Sequence, residues 1–456
     1  MPDSGQPTKH LAEFSARLQF DDIPANVIEQ IKLHILDGIG VCLHGTALPW
    51  SQKIASMVIE EGGNGAAGLW GSAARTSISQ AVLVNCTAGH AFEMDDIHKE
   101  SVLHPNSIAV PVALAIAGNK KNANGRKVLT AIIAGYEIGT RVGNAATTAL
   151  FLNGFHPQGT SGTFVAADTA GRLLELNAEA MHNAFGIAGS MGAGLMAAQE
   201  GAMVKRLHAG RAAQSGVYAV MLAQRGFTGI SNVLEAEYGG FLSAFSRTFK
   251  LERLLAGLGM DWEAAKVGFK MYPNVTSIHA ALDALHFIQS EHGIKAQDIR
   301  LIEVGCGHMT YVHTAWPYEP TGVTAAQMNL FYGLGVMALR GSVTAADYTE
   351  DNIADPAVLD FMKRIKPFED SKIEAMGAEA RHAATVTLHT VDGRTFHHAI
   401  WARRGSPENA VSYEEVEAKF FGNVASGIDV SQAKKIATLV KDFENLPSKD
   451  ELNALL

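Results

Sequence analysis

Apolar residues recur at helical spacing from about Ala25 onward. In ANVIEQIKLHILDGIGVCLHG, Ile28, Ile31, Ile35, Ile39 and Cys42 fall on one stripe. SQAVLVNCTAGHAFEMDD, RKVLTAIIAGYEIGTRVGNAA, TSGTFVAADTAGRLLEL, NAEAMHNAFGIAGSMGAGLMAA and RAAQSGVYAVMLAQRG continue the pattern, and no strand is expected before residue 265. Near Lys266 the period changes. IRLIEVGCG reads as a strand, and ATVTLHTVDGRTFHHAI alternates apolar and polar positions around Asp392-Gly393, a hairpin signal. Helical stretches (SIHAALDALHFIQSEHG, AAQMNLFYGLGVMALRG) lie between, and helices return after Gly405. The pattern predicts a mainly α protein. A large all-α domain spans 1–265, an α+β domain spans 266–405, and a helical tail, 406–456, rejoins the first part.

Composition narrows the function classes. A chain of 456 residues with 47% hydrophobic content can bury a large core, and 45 glycines suit close helix packing. A net charge of −9 leaves no basic footprint for nucleic acid or an anionic membrane. Cys42, Cys86 and Cys306 are far apart, with no CxxC spacing, as in a reducing compartment without disulfides. The start, MPDSGQPTKHLAEFSARL, lacks a basic stretch followed by an apolar one, so no signal peptide is expected. The longest apolar runs are too short to span a bilayer. These features predict a soluble, cytoplasmic protein.

Against this apolar background, HAFEMDDIHKESVLHPNS (90–107) is conspicuous for its charge. It reads either as a solvated loop or as one wall of a buried site. Its His104-Pro105-Asn106-Ser107 run opens a helix, with Asn106 or Ser107 as the expected N-cap. NGFHPQGTSGTFVAAD sets His156, Gly159 and Ser161 before another helix start, where backbone N–H groups favour an anion, although an ordinary glycine-rich turn looks the same. VKRLHAGRAAQSG clusters Lys205, Arg206, His208 and Arg211, and FKMYPNVTSIHAALDA carries Lys270 and Tyr272. Imidazoles, carboxylates and cations together suit an anionic, carboxylate-bearing substrate. They provide a base for a proton beside a carboxylate and an acid for a departing hydroxyl.

In this order, GHAFEMDDIHKESVLHPNSIAVPVALAIAG, GFHPQGTSGTFVAA, KRLHAGRAAQSG and FKMYPNVTSIHAALDAL resemble the MmgE/PrpD family, over about 65 to 290. That family includes 2-methylcitrate dehydratases, cis-aconitate decarboxylases and iminodisuccinate epimerase. The resemblance implies a large all-α domain, a smaller α+β lid, a homodimer, and a site between the domains without cofactor or metal. It puts the acidic cluster on Glu93, Asp95 and Asp96, and the catalytic groups on His104, Asp96, His156, Lys205 and Lys270. Glu93, Asp95, His208, Tyr272, Gly159 and Ser161 then contact substrate. His104 is the expected base or acid and His156 assists in proton transfer. Asp96 orients a histidine or a substrate hydroxyl, and Lys205 and Lys270 bind carboxylates. His98 lies outside the matched positions, and its removal is expected to do little. The chain departs from the decarboxylase-like pattern at Glu93 (Asp there), at Ile97 (Thr there), and in YVHTAWPYEP, which lacks an arginine.

The expected activity is a lyase on a small di- or tricarboxylate, with water elimination first. Decarboxylation and epimerisation share the carbanion-like intermediate and stay as alternatives, as does a carboxylate-binding protein without turnover. Two metal readings compete: an Asp-Asp magnesium site as in prenyl synthases, and a hydrolase centre from His90, Glu93, Asp96 and His104.

Overall fold

The computed structural model describes residues 5–120 and 122–456. Part of the start read for a leader therefore lies outside the described residues. The chain falls into two compact units, one of residues 1–197, 204–268 and 412–456, the other of 198–203 and 269–411. The segment 198–203 had been expected in the helical part.

In the first unit up to residue 268, the described helices of eight or more residues are α1 (Pro7–Arg17), α2 (Ala25–Thr46), α3 (Pro49–Glu61), α4 (Ile78–Gly89), α5 (Asn106–Ala117), α6 (Gly125–Leu152), α7 (Gly162–Leu173), α8 (Ala178–Gly189) and α9 (Val204–Ala223). The stripe read on α2 is buried along its whole length, from Ile28 to Cys42. Small residues bring α6 and α7 together: a Cβ at Gly139 would come within 2.1 Å of Val165 Cγ2. Burying close-packed apolar surface of this kind contributes about 25 cal/mol per Å².

Contrary to the sequence reading, short strands precede residue 265. Ala67–Gly68 pairs with Arg75–Thr76, and Ile97–His98 pairs with Val267–Gly268. Two-residue strands leave no alternating pattern to read. NAEAMHNAFGIAGSMGAGLMAA is helical only through Gly189, because Gly192 and Gly194 follow, and Gly194 (φ 148) sits where an L side chain is disfavoured.

In the second unit, α10 (His279–His292) and α11 (Leu330–Arg340) accompany a four-stranded sheet of β1 (Ile299–Cys306), β2 (Ile365–Glu369), β3 (Ala384–Thr390) and β4 (Thr395–Ile400). The strand order is β2-β1-β3-β4, with β1 parallel to β2 and the other pairs antiparallel. β3 and β4 form the expected hairpin, with Gly393 at φ 88 in its turn. β3 alternates buried and half-buried residues as its sequence does. Back in the first unit, α12 (Tyr413–Val424) packs on α2, and α13 (Val430–Lys441) follows. Ser412 caps α12 in a capping box with Glu415. Among the described residues, no helix is long and apolar enough to cross a membrane.

Candidate active site

The stretch 90–107 is a buried loop between α4 and α5, not a solvated one. His90, Asp95 and Asp96 are fully buried, and Glu93, His98 and His104 nearly so. Burying ions is expensive unless they are paired, and this loop pairs them. The Asp95 carboxylate accepts from His90 Nδ1 at 2.6 Å and lies 3.6 Å from His104 Nδ1. Asp96 Oδ2 accepts from the Tyr136 hydroxyl at 2.7 Å and faces His34 Nδ1 at 3.1 Å.

Both helix starts differ from expectation. Pro105 (φ −66) is already helical, so neither Asn106 nor Ser107 is the N-cap. Asp96 Oδ1 instead accepts from the Asn106 N–H at 3.0 Å, so a protein carboxylate occupies the anion position at the start of α5. At the second start, the N–H groups of Gly159, Thr160 and Gly162 bond within their own turn, to His156 O and Pro157 O. They are not aimed at a ligand. Gly159 is required for packing, since a Cβ there would lie 2.1 Å from Ala193 O. Ser161 is buried, and its Oγ makes no hydrogen bond among the described residues.

Hydrogen bonding fixes how His104 can act. Its Nδ1 meets the Asp96 backbone oxygen at 2.5 Å, and a carbonyl only accepts, so Nδ1 carries the proton. Nε2 of the neutral ring is then the basic atom. His104 N–H and C=O are also clamped by Gln158, at 2.9 Å each. His90 has the same arrangement: Nδ1 donates to Asp95, and the buried Nε2 makes no hydrogen bond among the described residues. His156 and His208 meet through their Nδ1 atoms at 2.9 Å. Ring centroids step 5.1 Å from His104 to His90, 5.5 Å to His156 and 5.1 Å to His208. Burial pushes the His90 imidazole below its ordinary value despite Asp95, and pushes His156 well below, helped by Lys205 and the neighbouring imidazoles. Burial, then His90 and Lys205, bring His208 down to about 4. Neutral imidazoles are competent bases near neutral pH.

Lys205 and Arg206 open α9 and both reach Glu93 Oε1, Arg206 at 2.6 Å. Glu93 is held at φ 54, a conformation few non-glycine residues adopt. Arg211, read with this cluster, is exposed and points elsewhere. Nor is His98 a bystander: it is buried, bonded to Ser101 Oγ at 2.9 Å and to Glu263 at 3.1 Å, so its removal affects stability.

The first unit thus gathers His104, Asp96, His156, Lys205, Glu93, Asp95, His208, Gly159 and Ser161. The second unit carries Lys270, which is buried, and Tyr272, whose hydroxyl donates to Asp283 Oδ1 at 2.8 Å. Sequence reading missed His34, Asp37, Tyr136, Gln158 and Lys419, and gave His90 only a metal role. Gln158 stands inside the His156-Pro157 motif, and no local motif marks the other four of the first five. Glu93 is engaged by two cations, which removes it from the proposed hydrolase centre. Among the described residues, no group of three or more His, Cys, Asp or Glu side chains is arranged to hold a metal ion.

Comparison with known proteins agrees with this architecture. The MmgE/PrpD N-terminal domain matches residues 9–254, and the MmgE/PrpD C-terminal domain matches residues 272–445. A cis-aconitate decarboxylase of Aspergillus terreus is 30% identical over 98% of this chain and 95% of its own length. A cis-aconitate decarboxylase-like protein of Aspergillus oryzae is 28% identical over 99% of this chain and 97% of its own. The 2-methylcitrate dehydratase of Escherichia coli is 27% identical over 63% of this chain and 60% of its own.

Proposed function

This chain belongs to the MmgE/PrpD family, and from that premise we propose that it is a lyase on a small di- or tricarboxylate that eliminates water through an enolate-like intermediate. The observation that carries the reading is His104, whose Nδ1–H is committed to a carbonyl. In this mechanism His104 Nε2 takes the proton from the carbon beside a substrate carboxylate. Charge develops on that carboxylate and Lys205 stabilises it. The proton taken up by His104 then passes to the departing hydroxyl, which leaves as water, and the His156–His208 pair, joined by one hydrogen bond, assists the transfer. A positioned acid or base typically contributes about 10²–10⁴-fold to rate. For Lys270, the motif resemblance supports a carboxylate-binding role. A cytoplasmic homodimer working without a metal completes the proposal.

Decarboxylation is the second reading, favoured by the near full-length match to the cis-aconitate decarboxylase of A. terreus. It needs a proton donor at carbon after CO₂ leaves. Imidazoles held neutral by burial favour proton abstraction instead. The test is a panel of citrate-like and aconitate-like acids followed by proton NMR and CO₂ release. Loss of water from a hydroxy acid supports the first reading, and CO₂ release without dehydration supports the second. Binding without turnover of any acid would sink both.

A further inference from the structure

We propose that Lys419, on α12 far along the chain from the histidine loop, is a positioning residue for His90 and His104. The proposal rests on the reading of His104 as the base.

Lys419 Nζ makes two contacts in the buried interior. It pairs with Asp37 Oδ1 on α2 at 2.6 Å and donates to the Met94 carbonyl at 2.7 Å. The Lys419 side chain is 6% exposed and that of Asp37 0%. Met94 is immediately followed by Asp95 and Asp96, the two residues that meet His90 and His104. Asp37 Oδ2 accepts from Asn106 Nδ2 at 3.2 Å, and Asn106 Oδ1 accepts from the Asp96 N–H at 3.3 Å. The backbone at 94–96 is therefore held at three points: the Met94 carbonyl by Lys419, the Asp96 N–H by Asn106, and the Asp96 carbonyl by His104. Two of the three trace back to the Lys419–Asp37 pair.

This arrangement explains why an ion pair is kept in the core, where an apolar pair of the same size would often be no less stable. The ammonium neutralises Asp37 within a region that also holds Asp95 and Asp96. It also holds the Met94 carbonyl by a hydrogen bond. Without it, the loop is free to turn that peptide. Asp95 would then move off His90 and the Asp96 carbonyl off His104, and the proton would no longer be fixed on Nδ1. Misplacement by about 1 Å is enough to cost on the order of 10²-fold in rate.

The experiment compares Lys419→Met, Lys419→Arg and the charge-balanced Asp37→Asn/Lys419→Met, each in the full chain. The first readout is the low-field proton NMR signal of the His90 and His104 Nδ1–H groups, assigned with His90→Gln and His104→Gln. The second is kcat against KM on the acid found for the wild-type protein. Lys419→Met should lose or broaden both signals and lower kcat by about 10²-fold, with KM changed by less than about threefold. Lys419→Arg should restore both, since its guanidinium can reach the same two oxygens. If Lys419→Met does not fold, the double variant is read in its place, because it leaves no unmatched buried carboxylate at position 37. Signals and kcat that stay at wild-type values would overturn the proposal. So would failure of both variants to fold, which would make the pair structural. If the wild-type protein converts no acid, the proposed lyase activity fails, and the NMR comparison alone decides the role of Lys419.

Discussion

Replacing Glu93 by Gln tests the electrostatic frame of the site. Glu93 Oε1 accepts from both Lys205 and Arg206, and the three side chains are 3%, 6% and 0% exposed. Gln keeps the shape and one accepting oxygen but removes the negative charge from between two buried cations. Removing one partner of a buried pair costs about 3–5 kcal/mol. The retained amide oxygen gives back part of that, since a hydrogen bond to a charged group is worth roughly 1.5–3 kcal/mol. The expected net loss is about 2 kcal/mol of unfolding free energy. Glu93→Asp should lose less: its carboxylate is one methylene shorter, but Asp tolerates positive φ better than Glu does. Urea unfolding followed by intrinsic fluorescence measures both, with Trp50 reporting from beside Arg206, 5.9 Å from its ring centre. A Glu93→Gln midpoint equal to that of the parent would refute the assignment of Glu93 as the shared counter-ion.

Three further outcomes follow. His98→Ala should unfold at lower temperature by an amount equivalent to roughly 2–3 kcal/mol, because a buried imidazole holding Glu263 and Ser101 is lost; a melt matching the parent's would contradict this. Burial raises Asp168 from its ordinary 3.8 to about 7, against the pull of Ser15 and Arg172. The folded state therefore binds a proton that the unfolded state releases between those values, and stability falls as pH rises through that window, by about 4 kcal/mol in all. Asp168→Asn should remove this slope. His208, brought down to about 4, acts in the opposite sense as pH falls, so the check is the difference between the pH–stability curves of parent and variant, and parallel curves would refute it. Prolonged chelation should leave turnover unchanged; loss restored by magnesium, zinc or iron would return the reaction to a metal mechanism.

The helical period on α2 and the alternation on β3 were legible because each pattern spans enough residues to average over local exceptions. The two-residue strands at 67–68 and 97–98 were not, being too short to carry a period. The site was legible where its residues share short motifs, as in His104-Pro105 or Lys205-Arg206. It was silent for Asp37, Tyr136 and Lys419, each a single polar residue in an ordinary helix. Their role arises only when α2, α6 and α12 pack around one loop. The helix start at Asn106 was read as capped by Asn106 or Ser107, and the one at Gly162 as a donor to an anion. Their N–H groups bond inside the protein instead, because Asp96 and the 156–162 turn reach them first.

The central claim is that His104 Nε2 removes a proton from the carbon beside a substrate carboxylate. The direct measurement is exchange of that C–H for deuterium in D₂O, followed by proton NMR on the acid the wild-type protein converts, with His104→Ala alongside. The account predicts that the wild-type protein exchanges the proton at a rate comparable to turnover, and that His104→Ala is slower by about 10²–10⁴-fold while keeping its fold. Exchange at an undiminished rate in a folded His104→Ala protein would contradict it.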